Sequence, residues 1–535
     1  SQQVGKLFPY QNIGSEFMPP LYEGDLLYMP TTFPGISSTK ARELLQQTDK
    51  IIKTFPEVHH VFGKVGRAET ATDPAPFDMI ETTIMLRDEK DWPKADIKDD
   101  SGKVIAHRRR TVEELVDALN SAIQFPGLAN AWTMPIKTRI DMLSTGIKTP
   151  VGIKIAGPSL AELERIGSEV EAVVKQVPGT TSAYSERVIG GRYLEFDINR
   201  DEIARYGLTL GEVQEVLAVA LGGMPITTTV EGLERYTINL RYERDYRQDL
   251  QALRDLIVPA PTGAQVPMGQ LATIKVVNAA MAIKSEAAVP NAWIYVDVKG
   301  IDIGTYVRAA MRTVNQAIAD GTITLPEGYS IFWSGQYEYM LRAKERLLLV
   351  VPLTLLIVAL LIYLSTRSFV KTGIVLLAVP FSVVGAFWLI YLLDYNMSVA
   401  VWIGLIALAG LDAETGMVML LYLDIAYEKW QKEGRMRNGE DLREAIYHGA
   451  VKRLRPKVMT VATTFIALVP IMWSTGTGAD VMKRIAVPMI GGVATSLLME
   501  LLVYPAIFYI WRSRAIRRQN QLPAAATAAQ PEPAH

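Results

Sequence analysis

The sequence predicts an α+β domain of repeated ferredoxin-like βαβ units, exported from the cytoplasm, followed by an all-α bundle of five transmembrane helices. Three observations predict it. A strand–helix–strand rhythm runs through residues 1–346, five long apolar runs follow Arg346, and the basic residues between those runs gather on one side. Of the 535 residues, 49% are hydrophobic, and the mean hydropathy is +0.15. That is too apolar for a disordered chain and high for a purely soluble enzyme.

In the first part, residues 25–33 read as a strand, 39–54 as an amphipathic helix, and 58–64 and 80–86 as strands. The pattern recurs over 151–156, 160–174 and 180–198, and again over 293–298, 304–318 and 329–334. Such repeats place helices on one face of a sheet. Thr209 and Glu212 form a capping-box pattern that opens a further helix. Residues 200–284 break the rhythm and read as an inserted subdomain. The charged stretch 94–110 reads as a surface loop, and the Ala/Pro/Gln-rich residues 522–535 as a disordered tail.

In the second part, residues 347–366 are an uncharged run of 20, about 30 Å as a helix, which matches one bilayer core. Further runs are 372–393, 395–423 (interrupted by Asp412 and Glu414), 458–479, and 485–511 (interrupted by Glu500). Arg367 and Lys371, the basic residues between Lys429 and Lys457, and Arg512 to Arg518 fall on one side, which is therefore cytoplasmic. Residues 1–346 lie on the other side. Ser1-Gln2-Gln3 opens with neither an initiator Met nor an export signal, so the chain is expected to be the C-terminal part of something longer.

Composition excludes several classes. With 55 Lys+Arg against 56 Asp+Glu, nothing points to nucleic acid. The absence of Cys removes disulfides, thiolate zinc sites, iron–sulfur clusters and Cys nucleophiles. No phosphate-binding Gly-x-x-x-x-Gly-Lys-Ser/Thr motif and no Gly-x-Ser-x-Gly motif occurs. Five His and 20 Met leave thioether and carboxylate as the main metal ligands. His59 and His60 adjoin a strand and read as surface residues, and His448 lies in a basic segment that reads as an interfacial helix.

Several segments carry a resemblance. They are Gly24-Asp25-Leu26-Leu27-Tyr28-Met29-Pro30, Val61-Phe62-Gly63-Lys64, Ala68-Glu69-Thr70-Ala71-Thr72-Asp73 and Arg139-Ile140-Asp141-Met142-Leu143-Ser144-Thr145-Gly146, with Gly410-Leu411-Asp412-Ala413-Glu414-Thr415-Gly416 and Arg455-Pro456-Lys457-Val458-Met459-Thr460 in the membrane part. Over nearly its whole length the chain resembles the second half of a resistance–nodulation–division (RND) transporter, in the heavy-metal branch of CusA/SilA copper(I)/silver(I) type. The resemblance implies an inner-membrane homotrimer, joined to a periplasmic adaptor and an outer-membrane channel, with no cofactor besides the transported metal ion. It divides the chain into periplasmic porter subdomains (1–199), an inserted docking subdomain (200–284), a porter return segment (285–346), the membrane domain (347–512) and a cytoplasmic tail (513–535).

The resemblance also assigns residues. Glu414 stands where such pumps carry an essential acid, and Lys457 matches their lysine. Glu414 is expected to take and release the proton, with Lys457 as countercharge and Asp412 as an auxiliary acid, because an ionisable group in a bilayer is kept only when paired or functional. Glu500 matches no motif of the family and reads as a contact or surface residue. Met79 and Met142 match segments that supply methionines to the metal cleft, and thioether sulfur suits copper(I) and silver(I). The family's third methionine has no counterpart between residues 182 and 192. Met29, Met134, Met281 and Met340 are candidates for relaying ions. Asp78, Glu81 and Asp141 keep zinc, cobalt or nickel efflux open as an alternative. A non-transporting membrane-anchored metal-binding or docking fragment and a pump for organic drugs are further alternatives.

Overall fold

A computed structural model of the chain describes residues 9–32, 35–66, 78–98, 104–280 and 282–521. The first unit runs β1 (Asp25–Tyr28), α1 (Ser38–Lys53), β2 (Val58–Val65), β3 (Ile80–Leu86), β4 (Lys94–Lys98), β5 (Val104–Arg109), α2 (Val112–Ala122) and β6 (Trp132–Thr133). Its antiparallel sheet has the order β2-β3-β1-β6, so the βαββαβ chain closes as a ferredoxin-like sandwich. Ser37 caps α1 and a Thr111/Glu114 capping box opens α2. Leu26 and Tyr28 point into a core with Ile52, Ile84, Leu115 and Leu119. Because strand side chains alternate, Leu27 and the following Met29 face the other side of the sheet.

The helix α3 (Pro135–Thr145) leads to the second unit: β7 (Val151–Ala156), α4 (Leu160–Val174) and β8 (Thr180–Ser185). An insertion follows, made of β9 (Gly191–Ile198), α5 (Arg200–Arg205), α6 (Leu210–Leu217), β10 (Met224–Glu231), β11 (Glu234–Leu240), α7 (Leu250–Arg254), β12 (Ile257–Pro259), β13 (Gln265–Pro267), α8 (Met268–Leu271) and β14 (Ala272–Ala279). The unit closes with β15 (Lys284–Glu286), β16 (Val289–Val298), α9 (Ile303–Ala319) and β17 (Ser330–Gly335). In this sheet β17 pairs β7, β7 pairs β16, and β16 pairs β8, again the ferredoxin-like order. Its core joins Ile153, Ile155, Ile166 and Val170 to Ile294, Tyr306 and Val314.

Three expectations change. The strand expected over 25–33 ends at Tyr28, after which single bridges hold Thr31 to Met79 and to Ala129. The strand expected over 180–198 is two strands: the chain turns between Arg187 and Gly190, and β9 leaves the sheet to pair with β14. The charged stretch expected as a loop is the hairpin β4–β5, in which Asp96 faces His107 and pairs with it. β4 does alternate, Lys94, Asp96 and Lys98 against Ala95 and Ile97, but so short a run in so charged a stretch reads as a surface loop.

The membrane part comprises α10 (Gln336–Thr366), α11 (Phe369–Leu376), α12 (Ala378–Leu392), α13 (Val399–Lys432), α14 (Gly439–Leu468), α15 (Ala479–Leu498) and α16 (Tyr504–Gln521). Taken as continuous rods they give five helices long and apolar enough to cross a bilayer. α11 and α12 make one rod, and a π-helical turn, Met499–Val503, joins α15 to α16. His448 lies on α14 itself, within the cytoplasmic extension of the fourth span, so no separate interfacial helix forms. α12 packs on α15 where Gly385 and Gly491 face each other; a Cβ at either would strike the other's carbonyl oxygen, so small residues set this close crossing. Near the cytoplasmic ends Asp424 pairs with both Lys371 and Arg512.

One segment ties the two parts together. Glu16 pairs with Arg484 at 3.1 Å and accepts from Asn396 Nδ2, while Tyr22 N–H donates to Asp480. Ser15 bridges to Met397 and donates to Asp302, the N-cap of α9. Residues 15–22 therefore touch the outer ends of α13 and α15 and the base of the second unit.

Candidate functional site

Two places in the fold combine burial with chemistry. The first lies between the two α+β units. Met79 sits just before β3, held by its bridge to Thr31, and Met142 sits on α3. Met29, Met79 and Leu27 form a small buried cluster against which Met142 packs. The helix carrying Met142 is fixed at both ends of its last turn. Gln336, the first residue of α10, donates to Asp141 Oδ2 at 3.1 Å. Gly146 ends the helix at φ 78°, and Trp293 lies where its Cβ would be, so only glycine fits there.

A cavity of about 70 Å³ opens beside Met79, lined by Asp78, Lys148, Glu186, Arg187, Lys284 and Tyr295 among others. Lys148 is buried there and donates to Met29 O at 3.0 Å and to Thr31 Oγ1. Burial pushes its ammonium down to about 8, against the pull of Asp78 and Glu186. Burial likewise raises the Asp78 carboxyl, opposed by its own backbone amide and by Lys148. Glu186 accepts from Tyr295 Oη at 2.7 Å and pairs with Lys284. The cavity wall thus carries two acids, Asp78 and Glu186, against three bases, Lys148, Arg187 and Lys284, with the thioether of Met79 beside them.

The other methionines fall elsewhere. Met134 packs against the core of the first unit and Met340 against that of the second. Met281 lies outside the described residues, as do the Ala68–Asp73 motif and the tail beyond residue 521. Glu81 pairs with Lys64 at 3.0 Å on the surface of the first sheet. His59 and His60 are exposed on β2.

The second place is inside the membrane bundle. Lys457 on α14 is buried and forms an ion pair with Glu500, which is fully buried in the π-helical turn. Thr415 Oγ1 donates to Glu500 Oε1 at 2.8 Å. Asp412, one turn before Thr415 on α13, is fully buried beside Ser382 and Ser496. Thr415, Lys457, Thr460, Thr464 and Ser496 border a space of about 10 Å³, enough for about one water.

This changes the expected pairing. Lys457 pairs with Glu500, not with Glu414, and Glu500 is neither a surface residue nor a bystander. Glu414 lies exposed on the outer side of α13. The reason is helical geometry: two residues along a helix turn through about 200°, so burying Asp412 turns Glu414 outward. The signal for Glu500 was its charge inside an apolar run. Sequence spacing alone left three acids to choose among for one lysine.

A separate carboxyl carries a pH prediction. Asp297 on β16 accepts from Val298 N–H at 3.0 Å, and burial pushes it up to about 6 against Lys137 and Lys299. A raised carboxyl holds its proton more tightly in the folded state, so its contribution is present below about pH 4 and is lost as pH rises through about 6. Because Asp297 keeps part of its surface in water, the effect is set at about 1–2 kcal/mol. Thermal unfolding of the solubilised chain should show Asp297→Asn gaining stability over wild type between pH 4 and 6.5. Parallel curves for the two proteins would refute the assignment.

Comparison with known proteins places this geometry. A model of the AcrB/AcrD/AcrF family matches residues 2–512. A SilA protein of Salmonella typhimurium is 45% identical over 95% of the chain and 47% of its own length. The cation efflux system protein CusA of Escherichia coli (strain K12) is 44% identical over 95% of the chain and 47% of its own length. The cobalt-zinc-cadmium resistance protein CzcA of Cupriavidus metallidurans is 31% identical over 93% and 45%. A crystal structure of a heavy metal efflux pump superposes with a TM-score of 0.78 at 25% identity, over 96% of this chain and 49% of that one. The chain spans about half the length of the curated relatives it matches.

Proposed function

The chain belongs to the AcrB/AcrD/AcrF family of RND efflux transporters, and from that premise we propose that it forms about half of a proton-driven inner-membrane permease exporting copper(I) and silver(I). The observation that carries the metal assignment is the cluster of Met29 and Met79 with Met142 packed against it, from which Met79 reaches the wall of the cavity between the two α+β units. Soft thioether sulfur favours a monovalent soft cation over zinc, cobalt or nickel. The greater identity to CusA than to CzcA supports the same reading.

Proton coupling is assigned to the membrane acids. Lys457 and Glu500 form a neutral pair with Thr415 bonded to it, and Asp412 stands one helical turn away. A proton delivered to this group breaks its charge balance, and α13, α14 and the π-helical turn that continues α15, which carry its members, must adjust. Residues 15–22 link the outer ends of two of these helices to the α+β units, so motion there reaches the cleft. Glu414, on the outward face, is the acid that a further helix would cover. Assembly is proposed as a homotrimer joined to a periplasmic adaptor and an outer-membrane channel. The hairpin β10–β11 supports this, because it projects Ile226, Val230, Leu233 and Tyr236 into solvent, where a neighbouring subunit would cover them.

Silver(I) efflux from cells carrying the gene with the reading frame upstream of Ser1 tests the reading. Export of silver that Glu414→Gln reduces to background is the expected result. Export of zinc or cobalt in place of silver, or export untouched by Glu414→Gln, would overturn it.

A further inference from the structure

We propose that the groove between α14 and α16 holds a phospholipid of the cytoplasmic leaflet, its anionic headgroup on Arg443 and an acyl chain along the groove. The groove measures about 760 Å³, against about 70 Å³ for the cavity beside Met79. One wall is the stretch of α14 from Arg443 to Leu454. The other runs from Leu501 in the π-helical turn to Ile510 on α16.

The shape suits a flexible apolar chain. Ile446, Ala450 and Pro505 are buried or partly so and form the floor, while Tyr447, Leu502 and Ile510 are exposed along the edges. An apolar trough of this size marks a binding surface. At its inner end, Leu454 stands one turn before Lys457, and Leu501 follows Glu500. An acyl chain lying here therefore ends against the buried Lys457–Glu500 pair and keeps water from reaching it along the groove.

The level in the membrane suits the cytoplasmic leaflet. Residues 501–510 close the apolar run 485–511. They rise about 15 Å as a helix, half of a ~30 Å bilayer core, on the basic side. The facing wall of α14 is amphipathic. Ile446, Tyr447, Ala450, Val451 and Leu454 recur on the groove side, and Lys452, Arg453 and Arg455 do not line it. That is the pattern of a helix lying against a membrane surface.

Charge selects the headgroup. Arg443 is exposed at the outer end of the groove and makes no ion pair with any described residue. Asp441, two positions before it, pairs instead with Arg437. Tyr447 lies one turn from Arg443, and Tyr509 Oη lies near Gly439 at the start of α14, so two phenols share that end. Tyrosine and arginine at a membrane–water boundary present donors at headgroup level, and a phosphate accepts from both. The cytoplasmic leaflet is also the one with negative surface potential. A helix of protein covering the groove would need an acid to meet Arg443; a phospholipid brings its own. Glu414, which a further helix would cover, lies on α13, and α13 lends no residue to the groove.

The test uses the protein expressed with the reading frame upstream of Ser1, purified and stripped of lipid in detergent. Phosphatidylglycerol and phosphatidylcholine with the same acyl chains are the probes, and native mass spectrometry counts the lipids retained. Wild type should retain one more phosphatidylglycerol per chain than Arg443→Gln, and should bind it at least about tenfold more tightly than phosphatidylcholine. Ala450→Phe, which fills the floor, should lose the same lipid. Lys452→Gln removes an equal charge nine positions along α14, about half a turn round the helix from Arg443, and should retain the wild-type number. Thermal midpoints without lipid show which variants fold; if Ala450→Phe does not, Ala506→Phe on the exposed wall takes its place. An unchanged count in Arg443→Gln, or equal binding of the two lipids, would overturn the proposal. So would a wild type that retains no phosphatidylglycerol, which would mean that protein covers the groove. None of these outcomes bears on the metal reading.

Discussion

Lys457→Met should reduce metal efflux to background and destabilise the membrane bundle, whereas the double variant Lys457→Met/Glu500→Gln should recover the stability without recovering efflux. Lys457 and Glu500 are both buried and form an ion pair in the bundle interior. Removing one partner leaves the other charge uncompensated in a low-dielectric setting, which costs roughly 3–5 kcal/mol. Removing both charges eliminates that cost, and such replacements are often neutral for stability. If the pair only held the fold together, the double variant would therefore transport normally. If its charge is part of proton coupling, the double variant folds and stays silent. Thr415→Val adds a graded case. It removes the hydroxyl that donates to Glu500 at 2.8 Å while keeping the volume, and should slow efflux without abolishing it. Expression level, thermal midpoint and silver efflux, measured on the same four proteins, separate the two roles. Wild-type efflux by Lys457→Met would remove this cluster from the mechanism.

Met79→Leu and Met142→Leu should each abolish silver efflux while shifting stability little. Leucine and methionine have similar volume, so the swap costs under about 1.5 kcal/mol even in a tight core. Met79 is buried and Met142 partly so, within one cluster, and the apolar contacts survive the substitution. What is lost is a thioether, the ligand that selects a soft monovalent cation. A site left with fewer sulfurs should bind silver at least about tenfold more weakly, about 1.4 kcal/mol. Silver efflux by Met79→Leu at the wild-type rate would show that the cluster is core packing and nothing more. Equal loss of fold in both variants would say the same.

The limits of the linear pattern show at particular residues. The helix 160–174 and the strands 80–86 and 151–156 have the bounds that their periodicity predicts, because the apolar residues of each recur on the face that packs against a core; in 151–156 the other face, with Lys154, is buried as well. The hairpin β4–β5 escaped because the alternation in β4 is only five residues long and β5 ends in the run His107-Arg108-Arg109, so charge outweighed period. The break between β8 and β9 escaped because two consecutive strands with a short turn read as one long strand, and only pairing partners tell them apart. Met79 and Met142, 63 positions apart, were named through resemblance, and nothing in their spacing says that they meet.

What the sequence determined by itself is the architecture: repeated ferredoxin-like units interrupted by an insertion, and five apolar rods with a basic cytoplasmic edge. Each of these follows from local periodicity, run length and charge, which are properties of neighbouring residues. What only the tertiary structure decided is partnership. It joined Lys457 to Glu500 and turned Glu414 outward, and it brought Met29 beside Met79 and Met142. The physical reason is that burying a charge or gathering soft ligands depends on which surfaces of distant elements are pressed together. Helix rotation and sheet facing settle that only once the whole chain has packed.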